Sequence, residues 1–475
     1  MRKLLVLFAL LGMACGSSMQ PPHEHMMSAG GGQGAGGGSG PGGGSATGGG
    51  FAEGGGGAAT GGGSATGGGS GTGGGAAGGG GFATGGGSGA GGGSASGGGS
   101  AATGGGSGVI ESDGGTQQQQ PGQLTAGAWD DNLNFGFYQL FLPTQPSGAP
   151  NIDRSQRVVV NVTDSSGLPL AGATVTLFDG AQVQIDSTVT GADGRALFFP
   201  GAATSMTASA SLGSAASTLA VSASSATTFQ LAAIGTAVQT MDIALVLDCT
   251  GSMGDEIDWL KNELGSIAQQ LATAQPGVTV RWALVQYKDV GDEYVTKVTD
   301  FTDLATFQTA LSAVQAGGGG DIPEALDQAV AALPQLSWSS TAKVVFHVAD
   351  APHHAGDEPK IVTALGTLRH QGVHIYPLAA SGADKLLEST FRTMAEVTGG
   401  RYLFLTDDSG IGGGHEVPSI PCFYVTLLEK QLVRVLQLEL TGSYAEPAPS
   451  DVIRTGGDPI AGQCDLGNGS NLYAF

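Results

Sequence analysis

Two periods divide the chain. From about Asp153 to Ile234, apolar and polar residues alternate in short runs such as "RVVVNVTD", "ATVTLFDG", "GRALFFPG", "SMTASASLG", "STLAVSAS" and "TTFQLAAIG". Runs of period two broken by Gly and Asp turns predict an antiparallel β-sandwich. Asp179, Asp186 and Asp193 read as turn formers in it. From about Val238 the period changes. Continuous apolar runs ("MDIALVLD", "TVRWALVQY", "AKVVFHVAD", "VHIYPLAA", "RYLFLTD") alternate with amphipathic stretches. In one of these, Ile257, Leu260, Leu264, Ile267 and Leu271 recur at three- and four-residue steps, which puts them on one helix face. Strands buried on both faces and alternating with helices predict a doubly wound, mainly parallel α/β sheet. A final helix is expected over "YVTLLEKQLVRVLQLEL". The aromatic stretch "AWDDNLNFGFYQLFLP" is expected to pack on the sandwich that follows it.

Composition changes the picture at the N-terminus. Of 475 residues, 87 are glycine, most of them between Gly30 and Gly115 in irregular Gly/Ser/Ala/Thr repeats. Such a tract has almost nothing to bury against its ordering entropy, so it reads as a flexible tether. It lacks the strict three-residue period of collagen. The expected organisation is an export signal over 1–15, a disordered tether over 16–120, a lead-in over 121–152, the sandwich over 153–235, the α/β domain over 238–442 and a Pro/Gly-rich tail over 443–475. A formal net charge of −22 with scattered Lys and Arg argues against nucleic acid and anionic lipid surfaces as partners.

The first residues, "MRKLLVLFALLGMACGSS", place Arg2 and Lys3 before an apolar run from Leu4 to Leu11, too short to span a bilayer and suited to an export signal. Cys15 directly after it resembles the lipidated cysteine of bacterial lipoproteins, although Gly12 stands where leucine is usual. The resemblance implies a lipid anchor at Cys15. Gly16, which is not the aspartate of inner-membrane retention, points to the outer membrane. In an oxidising compartment Cys422 and Cys464 are left to form a disulfide.

The chemistry concentrates in "LVLDCTGSMGDE". Ser252 lacks the glycine two before it that a nucleophile elbow needs, and the loop has no P-loop lysine. What remains is a carboxylate and two hydroxyls at alternate positions, Asp248, Thr250 and Ser252, at the carboxyl end of a strand where α/β sheets bind ligands. That donor set suits a hard cation such as Mg²⁺. Cys249 between them reads as a small buried residue, since no histidine stands beside it as a base.

"DCTGSMGDE" resembles the metal-ion-dependent adhesion site (MIDAS) of von Willebrand factor type A domains, signature D-x-S-x-S, with Thr250 for the first serine. The resemblance covers Val238 to Thr441. It implies two further metal ligands, Asp350 from "VVFHVADAPHH" and, as in integrin β-subunits, Glu324 from "GGGGDIPEALD". The alternative for Glu324 is a helix capping box with Asp321. The integrin-β likeness also implies a second cation at Asp255 and Glu256 and a third at Asp289 and Asp321, where Gly319 replaces the family's asparagine. The alternative is acids favouring a helix N-terminus.

The implied function is a surface-anchored, non-enzymatic adhesion module. Its Mg²⁺, or Mn²⁺ or Ca²⁺, captures an acidic residue of a protein partner. His353 and His354 are candidate partner contacts or solvated loop residues, and His347 a core histidine. "GLPLAGATV" and "TGADGRA" resemble the carboxypeptidase-regulatory-like sandwich. Two other readings stand beside this one. One is an envelope display protein whose metal only stabilises it. The other is a metal-assisted hydrolase using His353 or His354 as base.

Overall fold

The structure is a computed structural model that describes residues 122–475 apart from Asp321, Glu416, Asn468 and Gly469, and without the side chains of Asp255, Ala272 and Ala274. The expected signal, anchor and tether lie outside the described residues. In chain order the elements are β1 (Thr125–Trp129), α1 (Phe135–Phe141), β2 (Val158–Thr163), β3 (Thr174–Phe178), β4 (Gln184–Val189), β5 (Arg195–Phe198), β6 (Met206–Leu212), β7 (Ala215–Val221) and β8 (Thr227–Gln230). Then come β9 (Thr240–Asp248), α2 (Ile257–Ala274), β10 (Thr279–Tyr287), β11 (Thr296–Thr302), α3 (Leu304–Ser312), α4 (Leu326–Ala332), β12 (Ala342–Ala349), α5 (Glu358–His370), β13 (His374–Ala379), α6 (Lys385–Thr398) and β14 (Tyr402–Leu405). The chain ends with β15 (Phe423–Leu427), α7 (Leu428–Thr441), β16 (Arg454–Gly456), β17 (Gln463–Asp465) and β18 (Asn471–Tyr473).

A nine-stranded sheet runs β11-β10-β9-β12-β13-β14-β1-β15-β16. The strands from β10 to β14 pair in parallel. The remaining pairings, β10 with β11, β14 with β1, β1 with β15 and β15 with β16, are antiparallel. The sheet is therefore mixed rather than mainly parallel. β9 shows how it is buried on both faces. Ile243, Leu245 and Leu247 join the apolar residues of α2, α3 and α7, while Ala244 and Val246 join those of α4, α5 and α6.

Besides the antiparallel edge strand β11, the mixed character comes from two segments whose pattern pointed elsewhere. The lead-in does touch the segment that follows it, through Arg157 on the Asn132 carbonyl and the Phe135 ring, but its strand β1 enters the large sheet, between β14 and β15. Gly127 permits this, because a Cβ there would overlap the Phe404 ring. The expected final helix begins only at Leu428, since Phe423–Leu427 is claimed as a strand by β1 on one side and β16 on the other. Cys422 and Cys464 form a disulfide with Cα atoms 6.0 Å apart. It ties the tail to the start of β15.

Strands β2 to β8 form two small sheets, β5-β2-β8 and β4-β3-β6-β7, around a shared core that includes Val160, Leu177, Phe198 and Phe229. β2 and β8 pair in parallel, against the antiparallel expectation. These sheets are not a separate compact unit from the large one. Asp179 and Asp193 accept turn amides, but Asp186 pairs with Arg369 at 2.6 Å and His370 at 2.9 Å on α5.

Helix α6 is buried at every residue from Leu387 to Thr398, its polar ones included. The lead-in makes this possible by covering its charged side. Asp131 takes Arg392 Nη2 at 2.6 Å and Nε at 2.9 Å, and the same guanidinium lies 3.7 Å from the Phe141 ring centroid. Arg154 reaches Thr393 at 2.6 Å and Glu396 at 4.0 Å. Arg392 also has Glu388 at 3.4 Å, so losing Asp131 removes the nearer of its two buried partners; breaking a buried pair costs about 3–5 kcal/mol. Asp131→Ala is therefore expected to lower the unfolding free energy in urea by about that amount, and Asp131→Ala with Arg392→Met by clearly less.

Candidate metal centre

Strand β9 carries an aspartate near each end, and their surroundings are opposite. Asp242 accepts Arg281 Nε and Nη2 at 2.9 and 2.8 Å, the Ser339 and Ser340 amides at 2.8 and 2.9 Å, and the Ser340 hydroxyl at 2.6 Å. Burial opposes its charge, but these bonds prevail and hold its pKa below the ordinary value. Asp248 is equally inaccessible and receives far less. Its Oδ1 accepts the Thr250 amide at 3.0 Å and the Thr250 hydroxyl at 2.7 Å, while Oδ2 makes no hydrogen bond. Tyr287, in register on β10, turns its hydroxyl toward Asp248 and lowers its pKa slightly, without reaching hydrogen-bond geometry. Burial, and then the charge of Asp350, push Asp248 up to about 7.

The Thr250 hydroxyl continues to the Ser252 hydroxyl at 3.2 Å. Thr250 is buried and Ser252 exposed, so the acid–hydroxyl–hydroxyl row leads from the interior to the surface. Cys249, between them, points into the core on the α2 side, where burial raises its thiol to about 12.

Two further loops close on this row. The glycine loop is tied to it by Gly251 N–H to Gly318 O and Gly317 N–H to Cys249 O, both at 3.0 Å. Gly319 has φ +69°, and a Cβ there would lie 2.8 Å from Glu324 Oε1 and 3.2 Å from Thr250 Cβ. Only glycine lets the loop pass between those two side chains. Glu324 in turn donates its amide to Pro352 O at 2.9 Å, which joins this loop to the one carrying Asp350. Backbone hydrogen bonds thus link three sequence-distant segments and bring together Asp248, Thr250, Ser252, Glu324 and Asp350.

Glu324 is 2 % exposed, and its Oε2 makes no hydrogen bond. Burial first, then the charges of Asp248, Asp289, Asp350 and Asp292, push it up to about 8. The capping-box alternative fails, because Ala325 takes the N-cap of α4 and Glu324 lies ahead of the helix. Among the described residues, no three His, Cys, Asp or Glu side chains close into a cage by themselves. The donors are carboxylates and neutral hydroxyls, including two orphaned buried oxygens, which is chemistry that fits a hard cation completed by water.

Among the described flanking candidates, Glu256 and Asp289 are engaged by protein groups. Glu256 is inaccessible; it accepts His415 Nε2 at 3.0 Å and the Ser381 amide at 3.3 Å. The Asp255 side chain and Asp321 lie outside the described residues. Asp289 accepts His354 Nε2 at 2.6 Å. His353 is neither a partner contact nor a solvated loop residue. It is 1 % exposed, and its Nε2 meets the Gly148 carbonyl at 3.0 Å. His347 sits in the core with neither ring nitrogen hydrogen-bonded, its pKa depressed by burial to about 3.

Sequence reading missed Asp292, His415 and the inward turn of Tyr287. Asp292 Oδ2 accepts the Gly319 amide at 2.7 Å and the Asp289 amide at 3.0 Å, bracing the glycine loop. Its signal was present: an acid three residues after another, next to Gly291, marks a turn. His415 lies in an aperiodic Gly-rich loop that offers no signal.

Residues 242–407 match the family described as von Willebrand factor A domain. Similar proteins include an alpha-protein kinase, vwkA, of Dictyostelium discoideum, 26 % identical over 25 % of this chain and 19 % of the relative. A putative ariadne-like RING finger protein of Acanthamoeba polyphaga mimivirus is 28 % identical over 35 % of this chain and 18 % of the relative. The chain thus spans less than a fifth of the length of either relative. Similar solved structures include proximal thread matrix protein 1 from the mussel byssus (19 % identity, 32 % of this chain and 39 % of that one, TM-score 0.26). Another is the pilus adhesin SpaC from Lactobacillus rhamnosus GG (14 % identity, 37 % of this chain and 29 % of that one, TM-score 0.30).

Asp248 and Glu324 have folded pKa values above their unfolded ones, so the fold favours their protonated forms. That contribution is full below about pH 4 and is lost as pH rises through about 7 and about 8. In chelator, the unfolding free energy from urea melts is expected to fall between pH 5 and pH 8, with Asp248 contributing a slope of about 1.4 kcal/mol per pH unit that levels off above about pH 7. Asp248→Asn should flatten the profile.

Proposed function

We propose, on the premise that residues 242–407 are a von Willebrand factor A domain, that this chain is a surface-anchored, metal-dependent protein-binding or adhesion module. The domain type indicates an interaction role in general terms. In the proposal Asp248, Thr250, Ser252, Glu324 and Asp350 hold Mg²⁺, with Mn²⁺ or Ca²⁺ as substitutes. When bound, the ion supplies a positive, oxygen-seeking centre at which an acidic residue of a protein partner can be taken up. The chain's own residues set the terms. Asp248 and Glu324 offer the charge, Thr250 passes one hydroxyl bond inward to Asp248, and exposed Ser252 marks where a partner approaches.

One observation carries this reading: buried carboxylates from separate loops face one another with oxygens that no protein group satisfies. A buried acid without a counter-charge is costly, and a divalent cation removes that cost. Export, an outer-membrane lipid anchor at Cys15 and display on the 16–120 tether belong to the same proposal. No helix among the described residues is long and apolar enough to cross a membrane. The hydrolase alternative has little support from its own candidates, since His353 is turned to Gly148 and His354 to Asp289.

Titrating the full chain with Mg²⁺, Mn²⁺ and Ca²⁺, read by calorimetry and thermal melting, tests the site. At about 100 times the dissociation constant, the ion should add roughly 2.7 kcal/mol of stability. Asp350→Ala should lose most of that gain. Absence of binding by the wild type would overturn the reading. Equal binding by Asp350→Ala would place the ion elsewhere.

A further inference from the structure

We infer that the partner taken up at this site presents one carboxylate set between large apolar side chains, and that Val290, Ile322 and Val417 are the residues that read those neighbours. The inference rests on the reading above and specifies the chemistry of the partner.

Three loops around the end of β9 each present one branched apolar side chain to solvent. Val290, between β10 and β11, is 68 % exposed. Ile322, between α3 and α4, is 70 % exposed, and Val417, between β14 and β15, is 79 % exposed.

Backbone contacts bring all three loops to the site. Asp292, in the loop of Val290, accepts the Gly319 amide at 2.7 Å, and Gly318 O accepts the Gly251 amide at 3.0 Å. The loops of Val290 and Ile322 are thus joined to each other and to the Thr250–Ser252 row, and Ile322 stands just before Pro323 and Glu324. The loop of Val417 approaches from the Asp350 side. Its Gly414 carbonyl accepts the Gly382 amide at 3.2 Å, and a Cβ at Gly382 would lie 4.0 Å from Asp350 Cβ. Lys385 Nζ then donates to Val417 O at 2.9 Å.

A lone exposed apolar residue is ordinary on a protein surface, so the distribution carries the argument. At the opposite edge of the large sheet, the connections over 275–278, 333–341, 371–373 and 399–401 hold no exposed large apolar side chain among the described residues. The edge with the orphaned carboxylates has three, one from each of three loops.

The charge of this rim narrows the partner further. Glu293 is exposed in the loop of Val290, and Asp248, Asp289, Glu324 and Asp350 lie beneath the surface. A partner face dense in acids is repelled here, because like charges within a Debye length of about 8 Å are poorly screened. A single acid with apolar neighbours avoids that repulsion, and its neighbours shed water against Val290, Ile322 and Val417.

The test uses three disulfide-closed peptides that differ only around one aspartate: Leu-Asp-Leu, Ser-Asp-Ser and Lys-Asp-Lys. Each is titrated into the full chain in Mg²⁺ and in chelator. In Mg²⁺, Leu-Asp-Leu is expected to bind at least about tenfold more tightly than Ser-Asp-Ser. Combining Val290→Ser with Ile322→Ser should cut that advantage to within about threefold by weakening Leu-Asp-Leu alone. Val298→Ser, which changes an exposed apolar residue on edge strand β11, should leave the advantage intact. Equal affinity for the leucine and serine peptides, tighter binding of Lys-Asp-Lys, a double variant that weakens both peptides alike, or a loss of the advantage in Val298→Ser would each overturn this inference while leaving carboxylate capture in place. Failure of every peptide to bind in a Mg²⁺-dependent way would overturn both this inference and the proposed function.

Discussion

A carboxylate removed from water must find a counter-charge or give up its own, and this fold meets that constraint in three ways. Where the chain supplies a guanidinium, the acid is buried and ion-paired, as for Asp131 with Arg392 and Asp242 with Arg281. Where it supplies an imidazole, the acid is held by a ring N–H, as for Glu256 with His415 and Asp289 with His354. At the carboxyl end of β9 it supplies neither to Asp248 Oδ2 or Glu324 Oε2. The contrast between Asp242 and Asp248, six residues apart on one strand, shows how sharply the supply of partners changes along one element; Glu396 on α6 is also buried without a hydrogen bond to either carboxylate oxygen.

The backbone holds that arrangement together. β9, β10 and β12 end side by side because they are parallel and in register. The loops leaving β9 and β12 are joined through the α3–α4 connection by Gly251–Gly318, Gly317–Cys249 and Glu324–Pro352 hydrogen bonds. With the backbone committed in this way, mutual repulsion cannot readily splay the acids apart. Burial first, and that repulsion second, appear instead as raised proton affinity. Gly319 is the tightest point, since any side chain there would push Glu324 away from Thr250.

Much of this was legible in the sequence where the signal is local. The row Asp248, Thr250, Ser252 is a single turn after an apolar strand, and Asp350 follows the next such strand. The alternation from Val238 onward located the helices and parallel strands. What could not be read depends on distant partners. β1 is five residues of Thr, Ala, Gly and Trp, whose strand character comes from pairing with β14 and β15 nearly 300 residues later. The same pairing turns Phe423–Leu427 from the start of a helix into a strand. The polar face of α6 looks solvated until Asp131 and Arg154 cover it. The fate of the flanking acids likewise rested on His415 and His354, which reach them from other loops.

The most direct test of the account is the count of protons released when Mg²⁺ binds at pH 7, from calorimetry in buffers of different ionisation enthalpy. With Asp248 at about 7 and Glu324 at about 8 before binding, both hold protons that a cation must displace. The account predicts measurable release at pH 7 that fades as pH rises beyond about 8. Binding with no proton release across that range would mean that the acids at the end of β9 are already ionised and paired, and would contradict it.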